Sequence, residues 1–105
     1  MAETYKKELV QHIIKNQLDV QLLRIVQAKP TWGYSIKKQV EAAFNIKLRH
    51  GALYPTLNLL EKKGFLESTT QQSGKRPRKV YTITKEGKLY LQTYNDIMKA
   101  FIAET

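Results

Sequence analysis

The chain has no cysteine, and this absence removes two kinds of site at once. Without a thiol among its 105 residues, it can form neither a disulfide bond nor a thiolate metal site. Its two histidines, His12 and His50, are far apart in sequence and have no companion ligands. The sequence therefore predicts no metal site, and nothing in it indicates export to an oxidising compartment.

Signatures of catalysis are also missing. The nine acidic residues are scattered along the chain, so no pair of carboxylates stands out as an acid and a base. No glycine-rich phosphate loop or nucleophile elbow is visible. We predict that the protein is not an enzyme and that it carries no cofactor.

Long apolar runs are lacking too. Residues 1–8 lead into no uninterrupted apolar stretch, which argues against a signal peptide or a membrane span. We therefore expect a cytoplasmic protein. With 42% apolar and 26% charged residues, the composition is that of a folded chain, and the length suits one domain whose core a partner chain can complete.

Positive charge, by contrast, is abundant. Eighteen Lys and Arg residues stand against nine Asp and Glu residues, for a formal net charge of +9. Such an excess favours an acidic polymer or surface as the partner; the alternative is a basic surface that only keeps the protein in solution. The charge is concentrated around Pro77, where no acid is near, in Lys75, Arg76, Arg78 and Lys79. This clustering favours the first interpretation.

Apolar residues at helical spacing predict two helices in the first half of the chain. The first covers residues 5–28, with a break near Asn16. The second opens at Gly33 or at Ser35 and stops at Asn45, because asparagine tolerates the left-handed conformation that ends many helices.

A third helix is predicted from Arg49 or His50 to Lys63, in spite of Pro55 near its start. Gly64 is suited to end it, since glycine takes the left-handed conformation without strain. The buried face of this helix carries Leu53, Leu57 and Leu60.

A hairpin and a last helix follow. Strands are predicted at residues 65–69 and 79–83, and the polar stretch 69–78 between them is interpreted as a loop. Thr84 caps the last helix. This order of elements predicts a mostly α-helical fold with a small β-hairpin wing, which is a winged helix-turn-helix.

The N- and C-terminal helices are predicted to form a dimer interface. We divide the single domain into an N-terminal helix (1–17), a winged helix-turn-helix core (18–84) and a C-terminal helix (85–105). The last helix has a broad apolar stripe that a small domain cannot bury alone. We expect the interface to contain Leu9, Ile13, Tyr90, Tyr94, Ile97, Met98 and Phe101. The alternative is that both helices pack onto their own subunit.

Several of these blocks resemble the PadR family of winged-helix transcriptional regulators, over roughly residues 18–91. Residues 33–36 resemble the glycine-tyrosine opening of that family's second helix. The most specific block is Gly-Ala-Leu-Tyr-Pro at 51–55, followed by Gly-Phe-Leu at 64–66. Residues 81–87 resemble the second wing strand and the turn into the dimer helix.

The resemblance implies a dimeric, repressor-like protein that binds an inverted-repeat operator and dimerises through its C-terminal helix. Some members release DNA on binding small aromatic or drug-like molecules, so the resemblance allows a small-molecule effector, whose existence and identity the sequence leaves open. The chain departs from the family pattern in having Arg49 where a short polar residue often caps the recognition helix. Its single C-terminal helix is that of the smaller members.

Recognition helices of this motif place their first residues against base edges in the major groove. Arg49 is suited to pair with guanine and Asn58 with adenine; the alternative is that Arg49 only contacts phosphate and Asn58 is merely exposed. By the resemblance, Tyr54 donates to a phosphate. The full set of predicted DNA contacts is Tyr34, Ser35, Arg49, His50, Ala52, Tyr54, Thr56, Asn58, Lys75, Arg76 and Arg78.

The function predicted from these features is sequence-specific binding of double-stranded DNA by a homodimeric transcriptional regulator. Two alternatives stay open: a non-specific, chromatin-like DNA-binding protein, and a winged-helix module that binds other proteins. Trp32, the only tryptophan, is expected to pack where the first two helices meet. The alternative for Trp32 is one wall of an effector pocket near the dimer helix.

Overall fold

Four helices and a small sheet make up the protein, whose computed structural model describes residues 1–104. The prediction of a mostly helical winged helix-turn-helix is confirmed. Thr105, the last residue of the predicted C-terminal segment, lies outside the described residues. The elements in chain order are α1 (Ala2–Ala28), β1 (Thr31–Trp32), α2 (Gly33–Phe44), α3 (His50–Lys62), β2 (Leu66–Ser73), β3 (Arg76–Ile83) and α4 (Lys85–Glu104).

Helix α1 is bent at Gln17, whose backbone angles of φ −134° and ψ 28° are not helical. The break predicted near Asn16 is therefore confirmed. Just after the bend, the Asp19 carboxylate accepts a hydrogen bond from the Val20 N–H at 2.8 Å. All the fully buried residues of α1 follow the bend: Leu18, Val20, Leu22, Leu23 and Val26. The first half of the helix thus contributes little to the core of its own subunit.

A tight turn joins α2 to α3. Helix α2 opens at Gly33, which resolves the choice left by the sequence, and ends at Asn45 in the left-handed conformation with φ 54°. The Glu41 carboxylate then accepts a hydrogen bond from the Leu48 N–H at 2.8 Å. This bond lowers the pKa of Glu41, with smaller contributions from nearby lysines. It holds the turn that sets the angle between the two helices.

Helix α3 is positioned by its apolar face and by its C-terminal cap. Leu53, Leu57 and Leu60 are buried in the core, as predicted. At the end of the helix, Gly64 has φ 81°. Its N–H donates to the Glu61 carbonyl, and the Phe65 N–H donates to the Leu60 carbonyl. This pair of bonds is the Schellman motif, which satisfies carbonyls that the helix leaves open.

The sheet is larger than predicted. Its three antiparallel strands lie in the order β1-β3-β2, and β2 and β3 pair all the way to a turn made of Gly74 and Lys75. The predicted loop at 69–78 is therefore wrong. In the outer part of this ribbon, residues 69–72 and 76–79 are all exposed. The side chains there show no alternation of apolar and polar residues that would reveal strands. The short β1 was not predicted; it pairs Thr31 with Tyr81.

Helix α4 is attached at its start and near its middle. The Thr84 hydroxyl oxygen accepts a hydrogen bond from the Gly87 N–H at 3.0 Å, which confirms the predicted cap. Gly87 packs so closely that an added Cβ would clash with the Phe65 carbonyl oxygen. Farther along, the Tyr94 hydroxyl donates to the Gln17 side chain at 2.6 Å. The last helix is thus fixed to the wing at one point and to the bend of α1 at another.

Candidate nucleic-acid interface

A cleft of about 620 Å³ opens between the wing, the first turn of α2 and the exposed side of α3. It gathers residues from three separate segments of the chain. Six of the predicted DNA contacts line it: Tyr34, Tyr54, Asn58, Lys75, Arg76 and Arg78. Five further lining residues were not among those predictions: Trp32, Gly33, Pro77, Lys79 and Tyr81.

The floor of the cleft is a close contact between Gly33 and Tyr54. A Cβ added at Gly33 would lie 3.1 Å from the Tyr54 ring and 3.3 Å from its hydroxyl oxygen. A glycine here lets the tyrosine ring pack directly on the opening of α2. Within residues 1–104, no side chain caps that end of α2. The helix therefore presents N–H donors and the positive end of its dipole beside a phenolic hydroxyl, a set of groups suited to an anion.

The start of α3 exposes two predicted base readers outside the cleft. Arg49 precedes the helix, and its carbonyl oxygen accepts hydrogen bonds from the N–H groups of Ala52 and Leu53 at 3.0 and 3.1 Å. Its side chain makes no capping bond in the described part of the chain, so the guanidinium is not engaged by the helix it precedes. The His50 ring stacks on Tyr54 with 5.7 Å between centroids and 7° between planes.

Three other predicted contacts are engaged within the protein. The Ser35 hydroxyl oxygen accepts a hydrogen bond from Gln39 at 3.1 Å. The Thr56 hydroxyl donates to the Ala52 carbonyl at 2.8 Å, and the Ala52 side chain itself packs against the core. None of these three residues lines the cleft. Their contact with DNA stays a prediction, with less support from geometry than the residues of the cleft.

One basic residue of the wing is neutralised, contrary to the expectation that no acid lies nearby. Lys79 forms an ion pair with Glu61 at 3.2 Å, and the Ser68 hydroxyl donates to the other Glu61 oxygen at 2.7 Å. The Ser68 bond and then the Lys79 ammonium lower the pKa of Glu61, and Glu61 raises the pKa of Lys79. This network fastens the wing to α3. Eighteen positions separate the ion-paired residues, so sequence spacing did not reveal it.

Trp32 lies between α1 and α2 as predicted, in the short strand β1. Its contact with the wing was not predicted. The guanidinium carbon of Arg78 lies 3.9 Å from the centre of the Trp32 ring, and the Tyr34 ring lies 5.4 Å away on α2. Trp32 lines the basic cleft; the alternative of a pocket wall near the dimer helix stays untested.

A second exposed surface, the apolar stripe, runs along α1 before its bend and along α4. Leu9 is 60% exposed, Ile97 57% and Phe101 65%. Tyr90 and Met98 are also exposed, whereas Ile13 and Tyr94 are half-buried. Tyr90 keeps one contact within its own subunit, since its ring stacks on Phe65 with 4.4 Å between centroids.

Metal binding and membrane insertion find no support within residues 1–104. No three potential metal ligands among His, Cys, Asp and Glu lie close enough to hold an ion there. No described helix has both the length and the apolar character that crossing a membrane requires.

Comparison with known proteins shows which family and which solved structures this chain is similar to. The model of the transcriptional regulator PadR-like family matches residues 22–93. A protein of Lysinibacillus sphaericus is 34% identical over an alignment of 84 residues, and the match covers 75% of this chain and 75% of that one. A PadR family transcriptional regulator from Eggerthella lenta DSM 2243 has a TM-score of 0.79 at 25% identity, covering 98% of this chain and 90% of that one. A PadR family regulator from Clostridium difficile R20291 has a TM-score of 0.73 at 32% identity, covering 82% and 90%.

Proposed function

This chain belongs to the PadR-like family of transcriptional regulators, and we propose that it acts as a homodimer that represses transcription from an inverted-repeat operator. Family membership makes it a DNA-binding regulator and not an enzyme. It also favours DNA over the protein-interaction module considered from the sequence. The observation that carries the finer proposal is the presence, on one chain, of a basic cleft and a separate apolar stripe.

The basic cleft is suited to the sugar-phosphate backbone of DNA. The N–H groups at the start of α2 and the Tyr54 hydroxyl are donors for one phosphate. Arg76 and Arg78 line the opposite wall and supply positive charge for the neighbouring phosphates. In this arrangement the cleft sets the register of the protein on the duplex.

The start of α3 is suited to read bases. Recognition helices insert their N-terminal residues into the major groove, and Arg49 and His50 are exposed at that end. A guanidinium forms two hydrogen bonds with the edge of guanine, which gives Arg49 a specific role. It has donors only, so it cannot cap the N–H groups at the helix start. Asn58 lines the cleft, and we assign it the second base contact, to adenine.

The apolar stripe is suited to a second copy of the chain. Fully burying a large aliphatic or aromatic side chain contributes about 1.5–3 kcal/mol, and the stripe offers several that are more than half exposed, among them Leu9 and Ile97. A two-fold axis would bring the same stripe of each copy together. Two α3 helices would then face the DNA, which calls for two half-sites in opposite orientation.

Selection of bound sites from random duplexes tests this proposal. We expect an inverted repeat whose half-sites are separated by about one helical turn, 34–36 Å. Competition with random DNA then measures specificity. A preference of about thousandfold or more supports a regulator, whereas one below about tenfold would identify a chromatin-like protein that coats DNA.

Repression needs its own test. A promoter that overlaps the selected site should give less transcript in vitro as the protein is added, because the bound dimer blocks access of the polymerase. A rise in transcript from the same template would show activation and contradict this part of the proposal. A template in which the selected site is scrambled serves as the control.

A further inference from the structure

The wing contains a stacked pair, Trp32 and Arg78, to which neither DNA binding nor dimerisation assigns a role. Trp32 in β1 and Arg78 in β3 are brought together because β1 pairs with β3 through Trp32 and Val80, two positions from Arg78. The guanidinium carbon lies 3.9 Å from the centre of the indole ring. That is the distance of two groups in van der Waals contact, within the range of a strong cation–π interaction.

An arginine whose guanidinium stacks face-on against a ring can still form hydrogen bonds with a phosphate. The five N–H donors of a guanidinium lie in its plane, so a guanidinium that stacks keeps them for hydrogen bonds. Such an arginine loses less conformational freedom when it binds a phosphate, because its side chain is already held in place. Both Trp32 and Arg78 line the basic cleft, where a DNA backbone is proposed to lie.

We propose that Trp32 is a positioning residue for DNA binding, which holds the Arg78 guanidinium over the basic cleft so that it meets a backbone phosphate in a prepared orientation. This inference rests on the proposed DNA-binding role of the cleft. It assigns different tasks to the two wing arginines. Arg78 is held against an aromatic ring, whereas Arg76, two residues nearer the turn, stacks on no aromatic ring within residues 1–104.

A double-mutant cycle tests the assignment. Trp32→Leu removes the aromatic face, and its effect is measured in the parent chain, in Arg78→Ala and in Arg76→Ala. The probe is a labelled duplex of mixed random sequence, about two helical turns long, followed by fluorescence anisotropy at low salt. We expect Trp32→Leu to weaken binding about threefold to tenfold in the parent chain. The same loss should persist in Arg76→Ala and fall to within about twofold in Arg78→Ala.

Trp32→Phe is the conservative variant and the safeguard against misfolding. Phenylalanine keeps an aromatic face but binds cations more weakly than tryptophan, so its loss should be smaller than that of leucine and should also vanish in Arg78→Ala. Thermal unfolding of each variant identifies any that fail to fold. If Trp32→Leu unfolds, the double-mutant cycle is measured with Trp32→Phe in the parent chain, in Arg78→Ala and in Arg76→Ala.

Each unfavourable outcome is distinct. An equal loss from Trp32→Leu in Arg78→Ala and in the parent chain would overturn the positioning role and show that Trp32 acts by another route. An unchanged affinity for Trp32→Leu would overturn it too, while leaving the proposed function intact. An unchanged affinity for Arg78→Ala would overturn it and also remove Arg78 from the proposed phosphate contacts. Failure of the parent chain to bind the duplex at low salt would instead contradict the proposed function itself.

Discussion

The two exposed surfaces of this protein differ in how they interact with water. The basic cleft presents charges such as Arg76, which water solvates well and which need no partner for stability. The apolar stripe presents side chains such as Leu9 and Ile97, both more than half exposed, whose contact with water is unfavourable. The first surface can therefore exist free and bind reversibly, whereas the second is the surface that the proposed dimer would cover.

The two surfaces also differ in how they are built. Side-chain contacts hold the cleft together locally: Tyr54 against Gly33, and Glu61 between Ser68 and Lys79. The stripe is instead spread over two long helices, α1 and α4. The part of α1 that precedes the bend at Gln17 contributes no buried residue to the core. Substitutions in the cleft should accordingly alter DNA binding without changing assembly, and substitutions in the stripe should alter assembly first.

The largest effect is expected from a charge in the apolar stripe. Ile97→Lys places an ammonium in the proposed interface, where its desolvation is costly. A two-fold interface carries the substitution twice, so the dimer dissociation constant should rise about thousandfold. Sedimentation equilibrium measures it, with Gln92→Lys as the control that adds the same charge to an exposed polar position of α4. Equal dissociation constants for both variants would remove the stripe from the interface.

The next largest effect is expected in the basic cleft. Arg76→Ala combined with Arg78→Ala should weaken binding to all duplexes about tenfold to hundredfold, since each lost bond is charge-assisted. The slope of log affinity against log salt should become shallower by about two. Lys62→Ala with Lys63→Ala removes the same charge at the far end of α3 and should change the slope less. Identical slopes for the two double variants would mean that net charge alone, and not the wing, governs binding.

A smaller effect is expected at Gly87, where the start of α4 packs against Phe65 and Ile83. An added methyl group there clashes with the Phe65 carbonyl and with Ile83, so Gly87→Ala should lower the free energy of unfolding by about 1–3 kcal/mol. Gly51→Ala in α3 meets no atom within 4 Å and should raise it by about 0.5–1 kcal/mol, because alanine favours the helix. Urea unfolding compares them, and a stable Gly87→Ala would show that α4 is not tightly fixed to the wing.

The smallest effect concerns pH. The pKa of Glu61 lies below the ordinary value of 4.5, chiefly through the Ser68 hydrogen bond. Folding therefore favours the ionised carboxylate, whose stabilisation is complete above about pH 4.5 and is lost as pH falls through the lowered pKa. Glu61→Gln should be less stable than the parent chain at pH 7 by no more than about 1 kcal/mol. Urea titrations at pH 7 and in acid should show the difference disappearing, and a difference that persists in acid would refute the assignment.

The sequence predicted the helices well because each has an apolar face or a clear end. The positions of Leu53, Leu57 and Leu60 mark α3 by periodicity, and Gly64 and Asn45 mark helix ends by their tolerance of positive φ. Periodicity and tolerance of positive φ are properties of neighbouring residues, so they can be recognised from the sequence alone.

The contacts of the cleft were not predictable in the same way. The wing strands carry polar side chains on both faces and show no period of two. The pairing of Trp32 with Val80 depends on β1, a strand of two residues, and the Arg78 stack follows from that register. The Glu61 ion pair likewise depends on how α3 packs against the wing. Such contacts are set by tertiary packing, which a single sequence does not encode in its spacing.

The central claim is that the apolar stripe joins two copies so that two basic clefts act on one DNA site. Light scattering during size-exclusion chromatography, with and without a duplex carrying the selected site, tests it most directly. The account predicts twice the chain mass of 12.2 kDa for the free protein and two chains per duplex in the complex. A free protein of single-chain mass that binds the duplex as one chain would contradict it.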